Sequence, residues 1–420
     1  MTKKSILTFS QSKAEPAWLQ EKRLAAFDKI DNLELPRIER VKFQRWNLGD
    51  GTITESPISA NVPDFTSFGE NPKLVQLGTQ TVLESLPAKL VEQGVVFTDF
   101  HSDLEEIPQV IEKYFATALK FDEDKLSAYH TAYFNSGAVL YVPDNVEIDL
   151  PLEGIFLQDS ASNVPLNKHV LIIAGRHAKV NYLERFETIG DSDVKATANI
   201  AVEVLAQAGS QVKFAAIDRL GENVTAYISR RGKLGNDASI DWAIGVMNEG
   251  NVVADFDSDL IGNGSHADLK AVALSSGRQV QGIDTRVTNY GCNSIGNILQ
   301  HGVILEKATL TFNGIGHIIK GAKGADAQQE SRVLMLSDQA RSDANPILLI
   351  DENDVTAGHA ASIGQVDPED MYYLMSRGLD KATAERLVVR GFLGSVIVEI
   401  PVKEVRDEMI ATIEEKLSKR

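Results

Sequence analysis

Asp255-Phe256-Asp257-Ser258-Asp259 places three carboxylates at alternate positions, a pattern that can hold a hard cation or serve acid–base work. A calcium loop begun at Asp255 needs its turn glycine at position 260 and a bidentate glutamate at 266. The sequence has Leu260 and His266 there, so the segment reads as a solvated turn. Gly316-His317-Ile318-Ile319-Lys320-Gly321-Ala322-Lys323 approaches a phosphate-binding loop. That loop requires Lys directly after the second Gly and then Ser or Thr. Ala322 and Gly324 break the pattern, and no nucleotide is expected on this chain. The eight histidines form no HExxH and no tight pair, though His169 and His177 could face one side of neighbouring strands. Cys292 stands alone in the turn-like Asn289-Tyr290-Gly291-Cys292-Asn293, which suits a packing residue as well as a redox one. His359 lies in Thr356-Ala357-Gly358-His359-Ala360-Ala361-Ser362, where small neighbours let a backbone or ligand approach an imidazole suited to iron or zinc. From the residues alone, the plainer reading is a structural ring that satisfies backbone groups at the end of a β region.

Composition limits the partners. Lys and Arg number 42 against 59 Asp and Glu, a net charge of −17, so nucleic acid and anionic membrane are poor partners. One cysteine rules out a disulfide framework within the chain. The opening MTKKSILTFSQSKAEP has no apolar run of signal-peptide length, and no stretch approaches 18 apolar residues. The expected setting is cytoplasmic.

Three regions must position these groups. Residues 1–125 read as mixed and partly helical, with apolar residues near helical spacing after Pro16 (Trp18, Leu24, Phe27, Ile30) and after Pro108 (Val110, Ile111, Tyr114, Phe115, Ala118). Gly49 to Pro72 reads as loop. From about Leu126 to Gly364 helical periodicity gives way to alternation. Ile240, Trp242, Ile244 and Val246 form one apolar row, and Ala267, Leu269, Ala271 and Ala273 another. The first apolar residues of four such rows, Val180, Val212, Ile240 and Ala267, are spaced 32, 28 and 27 residues apart, and short Gly/Asn/Asp turns precede several of them. A loose repeat of strands predicts a mainly β solenoid, with a sandwich or jelly roll as the alternative. Residues 365–420 read as helical. Asp367 can cap, Pro368 suits a first turn, and Arg377-Gly378 forms a stop; further helices follow from Asp380 and Pro401.

The stretch 338–401 resembles the C-terminal signature of the SufB/SufD family of iron–sulfur cluster assembly proteins. Its marks are Ala340-Arg341-Ser342-Asp343, Asn353-Asp354-Val355, Gly358-His359-Ala360, Tyr373-Leu374, Ser376-Arg377-Gly378 and Glu399-Ile400-Pro401. Within that family the chain is more similar to the SufD-like branch. It has no cysteine after Cys292 and reads Gly-His-Ala where SufB-like chains tend to have Glu-His-Glu-Ala. The resemblance implies a right-handed parallel β-helix core (126–364) between an N-terminal mixed region (1–125) and a C-terminal helical domain (365–420). It also implies a non-catalytic scaffold that pairs with a SufB-like paralogue and docks a SufC-like ATPase. His359 would then face a transient iron–sulfur cluster or iron at the SufB–SufD interface, with a partner cysteine completing the site. Tyr372, Tyr373, Leu374 and Arg377 are the expected docking residues; they would serve equally to pack the module on its own solenoid. Two other classes remain open from the residues alone: a carbohydrate-active β-helix enzyme using Asp255, Asp257 and Asp259, and a sulfur transferase using Cys292.

Overall fold

The computed structural model describes residues 2–49, 53–56, 71–398 and 403–418. Their core is a parallel β-solenoid of two sheets, with strands that follow each other in sequence falling alternately in one sheet and the other. Sheet A has ten strands among the described residues, from the antiparallel pair Lys73–Leu77 and Gln80–Ser85 to Thr356–Gln365. Sheet B has nine, from Val96–Asp99 to Arg341–Ile350.

The loose sequence repeat is a real register. Val180 pairs with Val212, Val212 with Ile240, and Ile240 with Ala267 in adjoining parallel strands. The apolar rows fill the interior, where Phe214, Trp242, Leu269, Ile200, Ile228 and Phe256 are buried in one cluster. The Gly/Asn/Asp turns stack as well. Gly209, Asp237, Gly264 and Asn293 all have positive φ, the region where Gly, Asn and Asp fit best. The N–H groups of Gly209, Asp237 and Gly264 donate to the carbonyls of Asn236, Asn263 and Cys292 in the following corner, at 2.8–2.9 Å, so the hydrogen-bond ladder continues around the bend.

Helices cover both outer faces. Of α1 (Lys3–Ser12), α2 (Ala17–Lys29), α3 (Ala88–Glu92), α4 (Phe100–Glu106), α5 (Pro108–Tyr114) and α6 (Lys125–Tyr133), the helices α2, α4 and α5 lay Leu19, Phe100 and Ile111 against Val139, Leu171 and Leu205 of sheet B. Expected helicity therefore holds after Pro16 and Pro108, although α5 stops at Tyr114. The expectation that helix gives way at Leu126 fails, because α6 runs to Tyr133. Eight of its nine residues are buried, so it has no polar face and no helical period to read. The expected loop from Gly49 to Pro72 lies largely outside the described residues.

At the other end of the chain, α7 (Pro368–Ser376), α8 (Lys381–Ile397) and α9 (Lys403–Ser418) follow the last strand. Asp367 and Asp380 cap α7 and α8 through the N–H groups of Glu369 and Thr383. Pro401, the expected start of the third helix, lies outside the described residues, as does Glu399-Ile400. Val389, Leu393, Val405, Met409 and Ile413 bury against Leu183, Ile217, Ala243, Val272 and Val303 on the outer face of sheet A. No helix among the described residues is long and apolar enough to cross a membrane.

Candidate functional site

The two ends of the solenoid differ. One closes with the short antiparallel strands Gln80–Ser85 and Val96–Asp99. The other ends on two ten-residue parallel strands, Arg341–Ile350 and Thr356–Gln365, with no further coil among the described residues. Nine of the ten residues of Thr356–Gln365 are exposed. Its unused N–H and C=O groups form a template for another chain, and Leu349, Ile350 and Ile363 stand exposed beside it.

His359 sits at this end. It pairs with Gln329, which pairs with Ile298, and the row continues through Leu269, Trp242, Phe214 and Tyr182. His359 thus occupies a lumen-facing place in the register but is exposed, because its strand is the last of its sheet among the described residues. Gln329 beneath it is buried, its Nε2 donating to the Ile347 carbonyl at 2.9 Å and its Oε1 without a hydrogen bond. Ala357 and Ala361 flank His359 at lumen-facing positions of the same strand, pairing with Ala327 and Ser331. The ring is open to solvent and backed by small side chains. No group of three or more His, Cys, Asp or Glu able to hold a metal ion occurs among the described residues. An exposed imidazole is a borderline nitrogen donor of the kind that iron and zinc accept.

Tyr372, Tyr373, Leu374 and Arg377 lie on or just after α7, of which no residue is buried. Tyr372 is 76% and Tyr373 55% exposed, Leu374 is half-buried, and the Arg377 guanidinium stands 5.1 Å from the Tyr373 ring centre. The apolar packing expected of this module is supplied by α8 and α9 instead. Arg185 of the solenoid holds α9 through Glu408 and is itself held by Glu153 at 2.6 Å.

The other candidates are placed differently. Asp255, Asp257 and Asp259 lie in the strand Val252–Leu260, not in a turn. Phe256 fills the interior while Asp255 and Asp257 face outward onto Arg231, 2.7 Å from Asp255 and also paired with Asp257. The aspartate run was alternation rather than a loop, and Arg231 ties down two of its three carboxylates. Gly316-His317-Ile318 ends a strand, and the rest turns a corner into the strand Asp326–Met335 rather than into a helix. Cys292 is half-buried in a corner, its thiol 3.4 Å from the Gly321 carbonyl. His177 occupies a corner with φ 56° rather than a strand. His169 is buried against His130 at 3.0 Å and Glu203 at 3.2 Å. Glu203 in turn accepts the N–H groups of Ala116, Ala118 and Leu119, which locks the N-terminal region onto sheet B.

Two charged features escaped the sequence reading. Arg230 lies inside the lumen, with Nη2 2.8 Å from Glu184 and 2.7 Å from Asp218, all fully buried. Burial, against the pull of Arg230, raises the Glu184 carboxyl to about 7. Outside sheet B, Asp284 pairs in register with Asp255. Burial and then the Asp255 charge raise Asp284 to about 7. The one available signal was position: Arg230 interrupts the lumen-facing row Val224, Ala226, Ile228 and Leu234 of its strand.

Comparison with known proteins agrees with this architecture. Residues 156–392 match the model of the SUF system FeS cluster assembly, SufBD core domain, and residues 74–153 match the SufBD protein N-terminal region. The chain is 42% identical to the iron–sulfur cluster assembly protein SufD of Bacillus subtilis, covering 98% of this chain and 97% of that one. It is 24% identical to an iron–sulfur cluster assembly SufBD family protein of Staphylococcus epidermidis, covering 96% and 90%.

Proposed function

The chain belongs to the SufBD family of iron–sulfur cluster assembly proteins, and from that premise we propose that it is a non-catalytic scaffold whose open solenoid end pairs with a SufB-like paralogue. The observation that carries this reading is the asymmetry of the solenoid. One end is blunted by short antiparallel strands, while the other leaves two long strands unpaired beside exposed Leu349, Ile350 and Ile363. Strand addition to such an edge is a recurrent mode of protein association. His359 lies in the last strand, within the surface that this pairing would cover. A SufC-like ATPase would dock on the C-terminal helices, where α7 presents Tyr372, Tyr373 and Arg377, residue types that anchor interfaces.

The nascent iron–sulfur cluster is cargo of this assembly rather than a resident group. His359 supplies one nitrogen ligand, and thiolate from the paralogue supplies the rest. A site divided between chains exists only while they are together, which gives a physical route to release.

The test is co-purification of the tagged chain from its native extract, with partners identified by mass spectrometry. The full chain is expected to bring down both a SufB-like and a SufC-like protein. Removal of residues 366–420 is expected to lose the ATPase and keep the paralogue, and ATPase retention by the truncated chain defeats the docking assignment. His359→Ala is expected to leave the complex assembled and its ATPase active while sharply lowering cluster formation; undiminished cluster formation defeats the ligand assignment.

A further inference from the structure

A groove runs along one corner of the solenoid, on the side opposite the stacked Gly/Asn/Asp turns. Its floor is built from successive corners that follow the strands of sheet A, from Gln158 and Ser160 to Glu306, and one wall is the last turns of α9. Two adjoining clefts of about 440 and 450 Å³ share Glu222, Glu249 and Lys416. Parallel strands stack about 4.8 Å apart, so six successive corners span roughly 24 Å. An extended peptide of about seven residues covers that length.

The groove is acidic by construction. Asp191 and Asp193 come from one corner, Glu222 from the next in sheet A, and Glu249 from the one after. All four are exposed, and none is in an ion pair among the described residues. Of the three cations that line the clefts, Arg219 is already engaged by Glu187 and Glu415, and Arg278 and Lys416 stand among seven lining carboxylates, so the groove stays net negative. A second observation is independent of charge. Gln158 and Thr412 line the first cleft and Gln279 the second, each at least 95% buried, and Gln158 Oε1, Thr412 Oγ1 and Gln279 Oε1 have no hydrogen-bond partner. A buried oxygen left without a donor is destabilising. Free carboxylates above a floor of unsatisfied oxygens call for a ligand that is cationic and rich in N–H donors.

We propose that this groove is a docking site for an extended Lys/Arg-rich segment of a partner protein, separate from the open solenoid end and from α7. Arginine fits best, because its five donors in a fixed fork can meet a carboxylate and a floor oxygen together. The site lies on the outside of the coils, so it remains accessible when the open end is occupied.

The probe is a fluorescein-labelled octa-arginine peptide, titrated with the full-length chain and followed by fluorescence anisotropy at ionic strengths of about 0.01 M and about 0.15 M. Replacing Asp191→Asn, Asp193→Asn, Glu222→Gln and Glu249→Gln together is expected to weaken binding at least about ten-fold. A control neutralises four exposed carboxylates elsewhere, Glu21→Gln, Glu92→Gln, Asp122→Asn and Asp149→Asn, and is expected to change binding less than about two-fold. Thr412→Val keeps the shape of the floor and removes one oxygen, with an expected loss of about three-fold at the higher ionic strength. Equal losses in the groove variant and the control, or no loss in either, overturn the proposal, because attraction would then be set by net charge alone. Unchanged affinity in Thr412→Val overturns the part assigned to the floor.

Discussion

Arg185 and Glu408 are 223 residues apart in sequence and form a bidentate ion pair, with Arg185 Nε 2.9 Å from both carboxylate oxygens and Nη2 2.7 Å from one of them. This contact fixes α9 to the outer face of sheet A beside the apolar packing of Met409 and Ile413. Glu408→Ala is expected to cost about 1 kcal/mol, the pair being partly screened. Its sharper signature is local. Amide hydrogens of α9 should exchange faster while those of the strand Ser239–Val246 do not change. Unaltered exchange in α9 would show that packing alone holds the helix.

The lumen triad predicts a larger effect. Arg230→Met leaves Glu184 and Asp218 buried without a counter-charge, at an expected cost of about 3–5 kcal/mol. Adding Glu184→Gln and Asp218→Asn removes the stranded charges and should recover at least half of that loss in urea denaturation. Equal instability of the single and triple variants would mean that shape, not charge, dominates at this position.

Asp284 sets a pH dependence of definite sign. Its carboxyl is raised from 3.8 to about 7 by burial and by Asp255 beside it. The folded chain therefore holds this proton more tightly than the unfolded chain does. Its contribution to stability is complete below about pH 4 and is lost as pH rises to about 7. Asp284→Asn should flatten that decline and be more stable than the parent chain at about pH 8. A variant less stable than the parent at that pH would refute the assignment.

The open end separates stability from association. Leu349→Lys and Ile363→Lys place charges on residues that are each 42% exposed. Surface changes of this kind usually alter stability by less than about 0.5 kcal/mol. The double variant should melt with the parent chain and yet fail to co-purify a SufB-like partner. Retained pairing would move the interface elsewhere.

Much of this architecture was legible because alternation and a repeat of about 30 residues are both properties of a solenoid's interior. Val180, Val212, Ile240 and Ala267 could be aligned by eye, and the structure pairs them. What stayed hidden has a common physical cause. The helix α6 is buried on nearly every side, so its residues carry no period. The alternation of Asp255, Asp257 and Asp259 resembles a turn until Arg231, 24 residues before Asp255, is seen beside it. His359 was visible through its setting of small residues, yet its place in the lumen register depends on the strand Asp326–Met335 that precedes it. The groove draws its carboxylates from successive corners about 30 residues apart, and spacing of that kind looks like ordinary surface acidity in a linear sequence.

The unequal ends also fix a valence. A repeat chain with two reusable ends could add units indefinitely and become a filament. With one end blunted, each molecule offers one open end, made of the edges of Arg341–Ile350 and Thr356–Gln365, and two molecules meeting through those ends would leave no further long edge among the described residues. Pairing through the open ends would stop at two molecules without any separate terminating device.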